Sequence, residues 1–176
     1  MKRASGVLMH ISTLFGDNKT GSFGDNAKEF IDFLHDMKFS YWQVLPFLMP
    51  DSYNSPYQSP SAFSLNPYFI DVKKLFYKGY IDNCDLENAK QKIPYACEFE
   101  SLKEERYKLL LKASKKCDKN DVLKFAKENP YINEFCRFMA LKEANNNLPW
   151  NLWKNFKEDE DTLYMWQFTQ YEFINQ

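Results

Sequence analysis

Hydrophobic and polar positions change period twice within the first seventy residues. Gly6 to Ile11 is a short apolar run, interrupted only by His10, that reads as a buried strand. A loop rich in glycine and polar residues follows, with Gly16, Gly21 and Gly24. Asp25 is then placed to cap a helix in which Ala27, Phe30, Ile31, Leu34 and Met37 recur at helical spacing. Tyr41 to Leu45 is a second strand, aromatic and β-branched, stopped by Pro46. Strand, helix and strand of these lengths form a βαβ unit. The strand at Gly6–Ile11 should therefore lie parallel to Tyr41–Leu45, with the helix Ala27–Met37 crossing between them.

From Asp71 onward the pattern is helical. Val72, Leu75 and Phe76 mark a short helix closed by Gly79, and Asp71 stands at its N-cap. Leu102, Leu109, Leu110 and Ala113 mark a longer charged helix, and Val122, Phe125 and Ala126 another. Pro130 suits the first turn of a helix carrying Ile132, Phe135, Cys136 and Met139, which Asn145-Asn146-Asn147 ends. Thr162 is read as the cap of a last helix with Leu163, Trp166, Gln170 and Phe173 along one face. The chain thus divides into a βαβ part, residues 1–80, and a helical insertion packed upon it, residues 81–176.

The segment between the second strand and Asp71 is the most informative. Five of the eight prolines (Pro46, Pro50, Pro56, Pro60 and Pro67) fall within it, each fixing its own φ and restricting the residue before it. The stiff loop carries Tyr53, Ser55, Tyr57, Gln58 and Ser59. Hydroxyls and aromatic rings together suit a sugar, which offers apolar faces for stacking and a rim of hydroxyls for hydrogen bonding. A loop stiffened only for stability is an equal reading of the same composition. In parallel α/β folds, however, the loops leaving strand C-termini build the site. Residues 12–24 and 46–67 are those loops here, and they bring Ser55 and Tyr57 towards a ligand.

Composition narrows the class. At 176 residues, 44% hydrophobic and 18% aromatic, the chain is too apolar for disorder. A net charge of −1 gives no electrostatic footprint for nucleic acid. The lysines between Lys103 and Lys127 alternate with acids, as on a solvated helix face. Cys84, Cys97, Cys117 and Cys136 contain no C-x-x-C pair, and with only two histidines no zinc set assembles. Free thiols in a reducing cytosol are expected, and hence a cytoplasmic location. Lys2-Arg3 precedes an apolar run that ends at His10, too short for a signal peptide, and no stretch approaches a membrane span.

Trp42-Gln43-Val44-Leu45-Pro46, followed by Ser55-Pro56-Tyr57-Gln58-Ser59, Ser61-Ala62-Phe63 and Asn66-Pro67, resembles the N-terminal signature of the 4-α-glucanotransferases, also called amylomaltases, of the α-amylase clan. Gly6-Val7-Leu8-Met9-His10 and Gly21-Ser22-Phe23-Gly24 resemble the family's opening. Phe138-Met139-Ala140-Leu141-Lys142, Leu148-Pro149-Trp150-Asn151 and Phe168-Thr169-Gln170 resemble its later helical region. The likeness is weakest between about Cys84 and Pro130. It implies an α/β fold, the opening βα units of a (β/α)8 TIM barrel with a largely helical insertion. This chain would then be the N-terminal portion of a longer glycosyltransferase of maltodextrin metabolism, working on maltooligosaccharides without cofactor or metal.

Retaining glycosyl transfer needs two carboxyl groups about 5–5.5 Å apart. Asp25 and Asp71 read as helix caps, and Asp17 and Asp51 as turn residues. The resemblance agrees, since the family's catalytic carboxylates match no residue of this chain. It carries over only Ser55 and Tyr57, as glucan contacts. His10, at a strand end, reads as a packed, hydrogen-bonded residue, and Trp42 and Trp150 as core or interdomain anchors. The family's pattern is broken at Phe47–Ser52, in place of a glycine-rich turn, at Asn54 in place of Asp and at Pro60 in place of Phe. Two other classes compete: a non-catalytic α-glucan-binding fragment, and a helical interaction module with Glu98–Lys127 as its surface.

Overall fold

A computed structural model describes residues 3–51, 53–93 and 97–176. Lys2 of the N-terminal basic pair and Ser52 of the loop lie outside them. Strand β1 (Gly6–Leu8) pairs in parallel with β2 (Tyr41–Gln43) in the register Gly6–Tyr41, Val7–Trp42 and Leu8–Gln43. Helix α1 (Asp25–Asp36) connects them. The βαβ unit is therefore present, with both strands shorter than their apolar runs. After Met9, whose N–H still reaches Gln43 O at 3.0 Å, the chain tightens into a 3₁₀ turn over Ile11–Thr13.

Two expectations about this unit are corrected. The first strand is not buried, because Leu8 is 60% exposed and Gly6 is also open. Among the described residues each strand pairs only with the other, so each keeps a free edge. Nor does Asp25 cap α1. Gly24 is the N-cap residue, without a side-chain acceptor, and Asp25 is the first helical residue. There its carboxylate favours the helix N-terminus through charge instead.

The remaining elements are helical. They are α2 (Val72–Tyr77), α3 (Asn83–Asn88), α4 (Phe99–Ser114), α5 (Lys119–Glu128), α6 (Pro130–Ala144) and α7 (Glu160–Ile174). Asp71 caps α2 by accepting from Lys74 N at 3.1 Å, and Gly79 follows with φ +74°, a left-handed position where a side chain would be strained. Pro130 opens α6, and Asn146 and Asn147 end it in the left-handed region. Thr162 does not cap α7. Asp159 does, three residues earlier, and both the N–H and the hydroxyl of Thr162 donate to its carboxylate at 2.8 Å. Asp82 and Asp85 form a reciprocal capping box around α3, a helix with no fully buried residue, in which Leu86 alone packs on the core, so that it leaves no periodic trace in the sequence.

Two apolar clusters hold these elements together. One gathers Leu75, Leu110, Val122, Phe135, Met139 and Phe168 among the helices. The other gathers Ile11, Leu14, Ala27, Tyr68 and Phe69 at the strand ends, with Phe30 and Trp42 packed against it. Helix α7 packs on α4, α5, α6 and the 3₁₀ turn Pro67–Phe69, and its residues Met165–Gln170 and Glu172 are buried. A helix enclosed on most sides needs apolar residues or satisfied polar ones all round. Phe173, packed on both clusters, joins them.

Candidate functional site

The loop after β2 is organised by short polar side chains that replace backbone ladders. Asp51 Oδ1 accepts from Tyr53 N at 2.9 Å and from Ser55 N at 3.2 Å, an Asx turn, while Asp51 N donates to Gln58 O at 3.0 Å. Asn54, at φ +58°, supplies the left-handed residue the turn requires. Ser55 Oγ accepts from Tyr57 N at 3.4 Å. A second knot lies at the loop's far end. There Ser64, fully buried, shares a 2.7 Å contact with Ser59 Oγ, donates to Ser61 O and accepts from Met49 N.

Two long-range clamps fix this loop to the helices. Gln170, fully buried on α7, meets both backbone polar groups of Leu65. Phe63 stacks on Tyr131 of α6 at 5.0 Å and 17° between ring planes. Asn66 closes the loop, its N–H on Phe47 O and its side chain accepting from Tyr68 N at 3.0 Å. The arrangement leaves Tyr57 71% and Tyr53 86% exposed on a backbone that is held at both ends. Ser55 and Tyr57 are thus brought into one turn. Trp42 lies in the apolar cluster, edge-on to Phe30, with Nε1 donating to Met9 O at 2.7 Å. Trp150, expected in a core or an interdomain contact, is 74% exposed.

The acids near the strand ends are occupied structurally. Asp71, buried, accepts from Lys74 N and from Ser22 Oγ at 3.1 Å. Gly24 lets this happen, since a Cβ at Gly24 would fall 1.5 Å from Asp71 Oδ2. The motif Gly21-Ser22-Phe23-Gly24 therefore seats a helix cap. Asp17 faces Lys73 at 3.5 Å, Asp25 begins α1 and Asp51 shapes the loop turn. Beneath them Arg106 is buried and donates to Ile70 O at 2.8 Å. Burial pulls its pKa down to about 10 while Asp71 favours the charged form. Among the described residues no group of three or more His, Cys, Asp or Glu side chains is placed to hold a metal ion.

His10 completes the strand-end surroundings. Its ring stacks on Phe47 at 6.1 Å and meets Phe69 edge-on at 5.1 Å. It is packed, as expected, but the hydrogen bond expected of its ring is missing at Nδ1, which is buried without a partner among the described residues. Elsewhere, a groove of about 780 Å³ runs between α3 and α4. Its walls are charged, and four of their lysines are paired: Lys112 with Asp82 and Asp85, Lys90 with Glu87, Lys108 with Glu104 and Lys19 with Glu105.

The βαβ unit, its strand-end loops and the helices packed beside it are the opening units of a (β/α)8 barrel. Over 99% of its length the chain superposes on an amylomaltase from Streptococcus agalactiae solved in complex with acarbose, with a TM-score of 0.89 and 33% identity. A 4-alpha-glucanotransferase family model matches residues 9–176, and the chain belongs to that family. It is 38% identical to a 4-alpha-glucanotransferase of Clostridium butyricum, over 96% of this chain and 38% of that protein. The corresponding enzyme of Thermus thermophilus is 37% identical over 87% of this chain and 31% of its own length. The chain spans about two fifths or less of the length of these relatives. No helix among the described residues is long and apolar enough to cross a membrane.

Proposed function

We propose that the protein containing this chain is a 4-α-glucanotransferase. It moves α-1,4-glucan segments from a donor to the 4-hydroxyl of an acceptor glucose or maltodextrin, with retention, through a covalent glycosyl-enzyme. The observation that carries this reading is the family match across residues 9–176. Residues 1–80 contribute the first βαβ part of the catalytic barrel, and residues 81–176 a helical insertion and the helix that follows it. Ser55 and Tyr57 contact the bound glucan, the first by its hydroxyl and the second by its ring, from a loop too constrained to lose much entropy on binding. The nucleophile and the acid/base come from outside these residues, since the acids at the strand ends already serve caps and turns. The proposed location is cytoplasmic.

The test is incubation of the complete protein with maltotriose. Glucose together with maltodextrins longer than the substrate is the expected product set, and the 176-residue chain alone should yield neither. Hydrolysis products only, or no products from a folded complete protein, would overturn the reading. Retention of maltodextrin on a column without any turnover would instead favour non-catalytic α-glucan binding, the alternative that the structural employment of Asp17, Asp25, Asp51 and Asp71 supports.

A further inference from the structure

Two buried side-chain polar atoms lack a hydrogen-bond partner among the described residues, Tyr164 Oη and His10 Nδ1. A phenol can turn its proton, but an imidazole fixed between two rings cannot move its nitrogens. His10 lies two residues beyond β1, where the parallel strands end, and Phe47, on which it stacks, lies where the proline-rich loop leaves β2. The residue is only partly buried, Nδ1 is enclosed, and Nε2 is not among the buried unpartnered atoms, so the Nε2 edge is the open one. Burial lowers its pKa, and no carboxylate opposes that shift, so the ring is neutral at pH 7.

A neutral imidazole carries one N–H and one lone pair. An orphaned buried N–H is rarer and costlier than an orphaned acceptor, so the proton belongs on Nε2 and the bare lone pair on Nδ1. The result is a fixed, uncharged donor at the mouth of the strand pair. Its flanks are apolar rings, Phe47 and Phe69, rather than carboxylates. Such a group matches a neutral oxygen acceptor beside an apolar surface, which is the chemistry of a sugar hydroxyl on the edge of a pyranose ring.

We propose that His10 is held as the Nε2–H tautomer and donates that hydrogen bond to a hydroxyl of the bound α-glucan. The inference rests on the glucanotransferase reading and adds a substrate contact from the first strand end to those from the loop after the second. Amide substitutions separate the two ring positions. The Gln amide in H10Q reaches the place of Nε2 and can still donate there, whereas the Asn amide in H10N stops at the place of Nδ1.

The experiment uses the complete protein, with maltotriose as substrate. H10Q should stay within about twofold of wild type in kcat/KM, and H10N should fall roughly three- to tenfold, the size of one neutral hydrogen bond, with equal melting temperatures. Nitrogen NMR of the wild type, with the His10 signals assigned by their loss in H10Q, should show a protonated Nε2 and a bare Nδ1. Equal activity in H10N and wild type, or a proton on Nδ1, overturns the inference alone. A folded wild type that transfers no glucan overturns the parent reading, and the inference with it.

Discussion

Gln170 grips Leu65 by both of its backbone polar groups across 105 residues of chain: Nε2 donates to Leu65 O at 3.0 Å and Oε1 accepts from Leu65 N at 2.8 Å. A primary amide is the side chain that reproduces a peptide's donor and acceptor side by side, so α7 pairs with the loop as a strand neighbour would. This places a polar residue at full burial without cost, since each of its bonded atoms has a partner.

Gln170→Leu keeps the volume and removes both bonds. It leaves the Leu65 N–H and C=O facing an apolar side chain, at about 1–3 kcal/mol each when buried. Leu65 is half-buried, so a total loss of about 2–4 kcal/mol is expected, read as a lower urea midpoint at unchanged m-value. In the complete protein the loosened loop should also raise KM for maltodextrins. An unchanged midpoint would mean that water replaces the amide.

Tyr57→Ala should weaken maltodextrin use more than Tyr53→Ala. The amide of Tyr57 is tied to Ser55 Oγ within the segment proposed to touch glucan, whereas Tyr53 lies nearer the divergent loop tip and is the more exposed ring. Loss of a ring contact and a hydroxyl should cost on the order of 1–3 kcal/mol, or roughly five- to a hundredfold in kcat/KM. Neither substitution should move the melting temperature appreciably, because both rings stand largely in solvent. Small, equal effects from the pair would make the loop purely structural.

The βαβ unit was legible because Ala27, Phe30 and Leu34 repeat at the helical period, and Ala27 and Phe30 do join the strand-end cluster while Leu34 is buried. Ile31 and Met37 belong to the same apparent stripe yet are 53% and 57% exposed, so periodicity located the helix but overstated its buried face. Caps were read from residue type alone. That succeeded at Asp71 and failed at Asp25 and Thr162, where Gly24 and Asp159 stand at the true boundaries. The stiffness of the proline loop was visible in its residues. Its attachment was not, because a side chain pairing with a backbone 105 residues away leaves no local pattern. The bare Nδ1 of His10 was hidden for the same reason, since the rings enclosing it come from Phe47 and Phe69.

The four cysteines should divide by accessibility. Cys84 is exposed, Cys97 intermediate, and Cys117 and Cys136 buried, all as free thiols. A thiol-reactive disulfide reagent at pH 8 should modify Cys84 in the folded protein and reach Cys136 only on unfolding, as mass spectrometry of the labelled peptides would show. Burial holds the Cys136 thiol up at about 12, against an ordinary value of 9.0. Between these values the unfolded chain has lost a proton that the folded one keeps. Stability contributed at lower pH is therefore lost as pH rises from about 9 towards 12, by at most about 1.4 kcal/mol per pH unit. The difference in stability between wild type and Cys136→Ala should shrink from pH 8 to pH 10. A constant difference would place the thiol in contact with water.

Glu172 is fully buried on α7, and Lys78, just beyond α2, reaches it with Nζ at 2.8 and 3.0 Å from the two carboxylate oxygens. Lys78 also lies over the Tyr80 ring at 5.8 Å, and its side chain keeps 37% exposure. Removing one partner of a buried ion pair costs about 3–5 kcal/mol, because the other charge is stranded in a poorly polarisable interior. The partial exposure of the ammonium lets water screen part of that, so Lys78→Met should cost about 2–3 kcal/mol. The double variant Lys78→Met/Glu172→Leu removes the stranded charge as well. It should recover most of the loss, giving a coupling energy of about 1–2 kcal/mol in a double-mutant cycle. If the double variant is instead as unstable as the sum of the two single ones, then the two residues act independently, and packing rather than charge holds α2 against α7.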